Sequence, residues 1–164
     1  MANIEVKKSI VEEIKSYVEE AQSVIVVDYR GLTVAQDTEL RKNLREQGVV
    51  YKVYKNTLLK RAFEGTVYEE LSEHLEGPTA VAFGISDATA PASIIDKAMK
   101  DAPALEFKAG VVEGTYYDAE GIKAVAKIPS REVLISKLLG SLQAPIANFA
   151  RVIKQIAEKN EEAA

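Results

Sequence analysis

From Asn3 to Ala21, apolar positions recur three and four residues apart, at Ile10, Ile14, Tyr17, Val18 and Ala21. Acids and lysines fill the gaps, so the spacing predicts an amphipathic helix. The period then changes. SVIVVDY, from Ser23, is a continuous β-branched run that suits a strand covered on both faces. Gly31 gives a turn. Thr33 and Gln36 have the spacing of a capping box, opening a helix through Gln47 that Gly48 stops. VVYKVY, from Val49, is a second strand in which Lys52 and Tyr54 share a face with Val50. NTLLKRAF is the next helix, with Asn56 or Thr57 able to cap it. Thr66 and Glu69 form a second capping box, opening a helix that ends before Gly77-Pro78.

TAVAFG, from Thr79, is a third strand, and Pro91 fits the first turn of a helix reaching about Lys100. ALEFKAGVV, from Ala104, alternates Leu105, Phe107 and Ala109 inward and makes a fourth strand, with a hairpin at Glu113-Gly114. Asp118 can cap a short helix carrying Ile122, Val125 and Ala126. KIPS, residues 127–130, marks the predicted edge of the globular part. Beyond it the pattern is helical, with Gly140 and Pro145 expected to bend or interrupt the helix. The fold class predicted is α/β, of α+β type. Residues 1–128 form a small mixed sheet of about four strands flanked by helices, and residues 129–164 an extended C-terminal helical tail.

Composition narrows the chemistry. Of 164 residues, 47% are hydrophobic and 28% charged, the balance of a folded soluble protein. With no cysteine and one histidine, His74, set among glutamates on a predicted helix surface, neither a metal site nor a histidine-based nucleophile relay is expected. The longest apolar run, VIVVDY, is broken by Asp28, so no membrane span is expected, and the N-terminus lacks a signal peptide's uninterrupted core. A cytoplasmic protein is the reading. No glycine-rich phosphate loop occurs. Glu12-Glu13, Glu19-Glu20 and Glu69-Glu70 are adjacent pairs that diverge by about 100° on a helix, as solvated faces do. No catalytic residue or cofactor is assigned. A small α/β enzyme stays open as an alternative, and would need a pocket of converging acids.

Charge is unevenly distributed. Net charge is −4, yet between Arg41 and Arg61 seven cations (Arg41, Lys42, Arg45, Lys52, Lys55, Lys60, Arg61) face Glu46 alone, a window of +6. Directly afterwards come Glu64, Glu69, Glu70, Glu73 and Glu76 with no Lys or Arg among them. Such a cluster also fits an ordinary solvated surface. A local cationic patch can nonetheless bind folded RNA, because screening confines each charge to about 8–10 Å at cellular salt. The first-turn N–H groups of the NTLLKRAF helix, beside Lys55, make a natural phosphate cradle.

DYRGLT (Asp28 to Thr33), LRKNLREQGVVYKVYKNTLLKRA (Leu40 to Ala62), LEGPTAVAF (Leu75 to Phe83) and PSREVLISKLLGSLQAP (Pro129 to Pro145) together resemble the bacterial ribosomal protein L-ten family. The similarity covers nearly the entire chain in the expected order. The resemblance implies a stalk-base protein of the large ribosomal subunit, whose N-terminal domain docks on 23S rRNA near protein L-eleven. It further implies that the C-terminal helix holds dimers of the L-seven/L-twelve stalk protein, which recruit translational GTPases and promote GTP hydrolysis. The family's motifs fall on Arg30, Gly31, Lys55, Asn56 and Thr57 as rRNA-binding residues. The charge argument adds Lys7, Lys8, Lys52, Lys60 and Arg61. RNA of this kind is read by shape and backbone more than by a base code. Repression of the protein's own mRNA leader is a lesser implied activity, and a non-ribosomal RNA-binding regulator remains an alternative.

In the tail, Leu139, Leu142 and Ile146 are spaced i, i+3, i+7, and Phe149, Val152 and Ile156 repeat that spacing ten residues later. Ten residues turn a helix through two turns and about 280°, so the second triplet points about 80° away from the first. Core positions of a helix tucked against the domain would also give apolar triplets. Two rotated patches, however, suit two partners laid end to end, and the resemblance implies one stalk dimer per segment, hence two. Burying three large side chains gives about 5–9 kcal/mol gross, short of the roughly 12 kcal/mol of a nanomolar site. Leu138 and Ile153 are therefore added to the expected contact set.

Overall fold

A computed structural model describes the backbone of residues 2–162 and the side chains of residues 7–156. The chain divides into two compact units, Met1–Pro129 and Ser130–Ala164. In the first, the elements run α1 (Ala2–Glu20), β1 (Ser23–Asp28), α2 (Val34–Glu46), β2 (Val49–Val53), α3 (Asn56–Phe63), a 3-10 helix (Glu69–His74), β3 (Ala80–Gly84), α4 (Ala90–Asp101), β4 (Glu106–Val112), β5 (Thr115–Asp118) and α5 (Ala119–Ala126). The second is α6 (Arg131–Glu162).

The strands form one sheet in the order β2-β3-β1-β4-β5, and every neighbouring pair is antiparallel. The α/β class holds. The sheet differs from the expectation in being antiparallel instead of mixed, and in having five strands, because the hairpin at Glu113-Gly114 returns as β5. Central β1 explains its own unbroken hydrophobicity: Ile25 and Val27 face α2, α4 and α5, while Val24 and Val26 face α1, α3 and the 3-10 helix. Leu40, Leu44, Ile95 and Ile122 cover the first face; Ile14, Leu59, Phe63 and Leu71 cover the second. Each such fully buried side chain is worth about 1.5–3 kcal/mol of transfer free energy.

The caps sort into kept and lost. The capping box between Thr33 and Gln36 is present, and the Asp118 carboxylate accepts the Gly121 N–H at 2.8 Å. The second box does not form. Thr66 donates its hydroxyl to the Phe63 carbonyl at 2.7 Å instead, and a 3-10 helix starts only at Glu69. Nor is α3 capped by a side chain. Lys55 occupies the cap position, and Asn56 is committed elsewhere.

In β4 the simple alternation breaks. Ala109 lies opposite Val26 but Phe107 lies opposite Val27, so Lys108 is an extra residue, a β-bulge. Leu105 and Phe107 therefore point to the α2 side, whereas Ala109 and Val111 point to the α1 side.

Of the expected bend or interruption at Gly140 and Pro145, interruption does not occur: helix α6 runs through both positions. A single proline removes one backbone hydrogen bond, and the turns on either side can absorb that loss. Within the 26-residue stretch Arg131–Ile156, an 18-residue window reaches a mean hydropathy of 1.2, long and apolar enough to cross a membrane. Unbroken apolar runs do not reveal this, because Ser141, Gln143 and Asn148 interrupt them without adding charge.

Candidate nucleic-acid interface

Antiparallel pairing brings the C-terminal ends of β1 and β2 and the N-terminal ends of β3 and β4 to one end of the sheet. Three segments far apart in sequence meet there: DYRG after β1, KNT after β2, and EGPT before β3. Hydrogen bonds tie them together. Asn56 Nδ2 donates to the Gly77 carbonyl at 2.8 Å, and Thr79 Oγ1 donates to the same carbonyl at 3.2 Å. Lys108 Nζ donates to the carbonyls of Glu76 (2.6 Å) and Pro78 (2.7 Å) and to Thr79 Oγ1 (3.1 Å). Its ammonium also lies 3.9 Å from Asp28 Oδ2. Burial holds the Lys108 pKa below its usual value, with the Asp28 carboxylate pulling the other way.

Asp28 in turn accepts the Arg30 N–H at 3.0 Å and faces the Arg30 guanidinium at 3.5 Å. The Arg30 side chain stays 71% exposed. Gly31 adopts φ +82°, and a Cβ there would sit 2.7 Å from the Ala104 Cβ. Its glycine is thus required by backbone conformation and by close approach. A shallow cleft of about 280 Å³ opens beside the network, lined by Tyr29, Val53, Tyr54, Lys55, Asn56, Thr57, Gly77, Pro78 and Thr79. Lys55 is the exposed cation lining this mainly apolar cleft, and Arg30 is exposed beside Gly77 at its edge. Aromatic rings stand alongside.

The remaining expected cations do not form one patch. Lys52 pairs with Glu13 and lies over the Tyr17 ring at 4.9 Å, on the α1 face. The Lys52 hydrogen bond holds the Glu13 carboxyl below its usual range, and Glu13 correspondingly raises the lysine. Glu13 is thus an ion-pair partner, not a plainly solvated acid. Arg41 bonds Asp37 at 2.7 Å and stacks over Tyr51 at 5.0 Å, on the α2 face. The linear +6 window is therefore split between opposite sides of the sheet. Lys60 and Arg61 are exposed in the last turn of α3, and Lys7 and Lys8 are exposed on α1, which packs beside α3.

Sequence reasoning missed Lys108 and Asp28. The available signal was a single lysine inside the otherwise apolar core of EFKAGVV. His74 also differs from expectation: it is half-buried, stacked on Tyr116, with Nε2 2.6 Å from the tyrosine hydroxyl. Among the described residues no cluster of acids and histidine could hold a metal ion. On α6, the side chains of Leu138, Leu139, Leu142, Ile146, Phe149, Val152, Ile153 and Ile156 are 50–75% exposed.

Comparison with known proteins is consistent across the chain. Residues 2–100 match the family described as Ribosomal protein L10, and residues 128–163 match the Ribosomal protein uL10 C-terminal region. Large ribosomal subunit protein uL10 of Bacillus licheniformis is 52% identical over 159 residues, covering 97% of this chain and 96% of its own. The proteins of the same name from Alkaliphilus metalliredigens and Shouchella clausii are 52% and 50% identical over the same shares. With a matching profile over both units and this identity from end to end, the chain belongs to the ribosomal protein L10 family.

Proposed function

We propose that the protein is a structural constituent of the large ribosomal subunit at the base of its stalk. Residues 1–128 would bind 23S rRNA beside protein L-eleven, and residues 129–164 would hold two dimers of the L-seven/L-twelve stalk protein. Translational GTPases are then reached indirectly, through those dimers, by a cytoplasmic, ribosome-associated adaptor. The family is one of ribosomal structural proteins and not of enzymes. The observation that carries the RNA reading is the meeting of DYRG, KNT and EGPT at one sheet end, with Lys55 exposed at the cleft and Arg30 exposed beside Gly77. Arg30, Gly31, Lys55, Asn56 and Thr57 form its centre. Lys60, Arg61, Lys7 and Lys8 extend it along one helical layer, and Lys52, already engaged by Glu13, contributes least.

Sedimenting ribosomes through a high-salt wash tests the assignment. The protein is expected to travel with the large subunit, and its release into the soluble fraction would favour the non-ribosomal RNA-binding regulator. Lys55→Glu combined with Arg61→Glu should abolish filter retention of a large-subunit rRNA transcript while circular dichroism stays unchanged. Unaltered affinity would refute this placement of the interface. The two sites suit the test because among the described residues neither cation forms an ion pair.

A further inference from the structure

Lys108 sits at the bulge of β4 with its side chain only 16% exposed. An ammonium has three donors, and here the Glu76 carbonyl, the Pro78 carbonyl and the Thr79 hydroxyl take all three. None is left for a phosphate. The acceptors belong to the segment whose Gly77 carbonyl receives Asn56. Gly77 also lies close beneath Arg30: a Cβ built on it would meet the Arg30 guanidinium at 3.1 Å. Asp28 joins the ammonium to the Arg30 backbone. The bulge matters because one extra residue re-aims a side chain that would otherwise follow the strand's alternation.

We infer that Lys108 is a positioning residue for the RNA-facing end: it clamps the loop through residues 76–79 so that Arg30, Asn56 and Gly77 are presented together, without touching RNA itself. This rests on the RNA reading above. Its signature differs from that of a phosphate-binding lysine. Removing a direct phosphate contact lowers the slope of log affinity against log salt by roughly one, because one fewer counterion is released. Removing a clamp lowers affinity and leaves the slope unchanged.

The test uses the full chain with Lys108→Met, which keeps length and apolar stem, and with Thr79→Val, which removes one acceptor and leaves the ammonium. A large-subunit rRNA transcript is titrated at several salt concentrations, and amide hydrogen exchange is followed in the free protein. Lys108→Met should weaken binding about tenfold or more at constant slope and speed exchange at Gly77, Thr79 and Ala80, while amides of β1 stay protected. Thr79→Val should show the same pattern at lower amplitude, and it decides the matter if Lys108→Met does not fold. A slope reduced by about one would make Lys108 a phosphate contact and overturn the inference. Unchanged affinity, or unchanged exchange in the loop, would overturn it equally. If the unsubstituted protein fails to bind the transcript, the RNA reading falls, whereas the exchange comparison still decides whether Lys108 holds the loop.

Discussion

Gly31 and Glu13 show how differently single residues enter the fold. At Gly31 the left-handed backbone and the approach of Ala104 act together. Gly31→Ala is expected to destabilise by about 1–3 kcal/mol, read as a melting temperature lowered by about 2–4 °C for each kcal/mol. An unchanged melting temperature would show that the loop relaxes freely. Glu13 acts through charge. Its folded-state pKa is depressed, so the stability it adds is present above its unfolded value and lost as pH falls through the folded one. For Lys52 the sign is opposite: the pKa is raised, and the contribution is present below its unfolded value and lost only at strongly alkaline pH. Both side chains are about two-fifths exposed, 40% and 41%, so solvent screens the pair and Glu13→Gln should cost under about 1 kcal/mol at neutral pH. Denaturant titrations across acid pH should show that small difference vanish below the depressed carboxyl pKa. A difference that persists there would assign the effect to packing against Tyr17 and Tyr54.

For α6 the decisive fact is continuity. Because Gly140 and Pro145 leave the helix unbroken, the 100° step per residue holds throughout. Leu138, Leu139, Leu142, Ile146, Phe149, Val152, Ile153 and Ile156 then fall within one arc of about 140°. The two triplets, 80° apart, are neighbouring parts of one band that drifts around the helix, and Leu138 and Ile153 lie within it. A lone helix cannot bury such a band against itself, so these exposed side chains form a surface of the kind that marks an interaction site. On the proposed stalk role, deleting the residues after Ala147, which spares Ile146 in the first triplet, should reduce the bound L-seven/L-twelve dimers from two to one, counted by native mass spectrometry. Loss of both would mean that the band binds as one unit, and loss of neither would place the contacts before Asn148. Flotation of the full chain with lipid vesicles would instead assign the surface to a membrane, which its length and hydropathy permit.

Across the whole molecule, the elements were legible where local chemistry decides them. β1 was readable as a strand covered on both faces because all its inner positions are apolar, and α2 because Thr33 and Gln36 reciprocate at its start. Likewise the α5 cap needed only Asp118 and the N–H three residues on. The family too was readable from ordered motifs, and the matches over residues 2–100 and 128–163 agree with that reading. Tertiary structure decided where charge ends up. Pairing β2 with β3 and β3 with β1 put Arg41 and Lys52 on opposite faces of the sheet, which no linear window of charge reveals. It also brought DYRG, KNT and EGPT to one end and turned Lys108 inward at a bulge. The physical reason is range: capping, periodicity and turn chemistry act over three or four residues and are written locally. A hydrogen bond from Lys108 to Glu76 spans 32 positions, and it exists only once the strands between have paired.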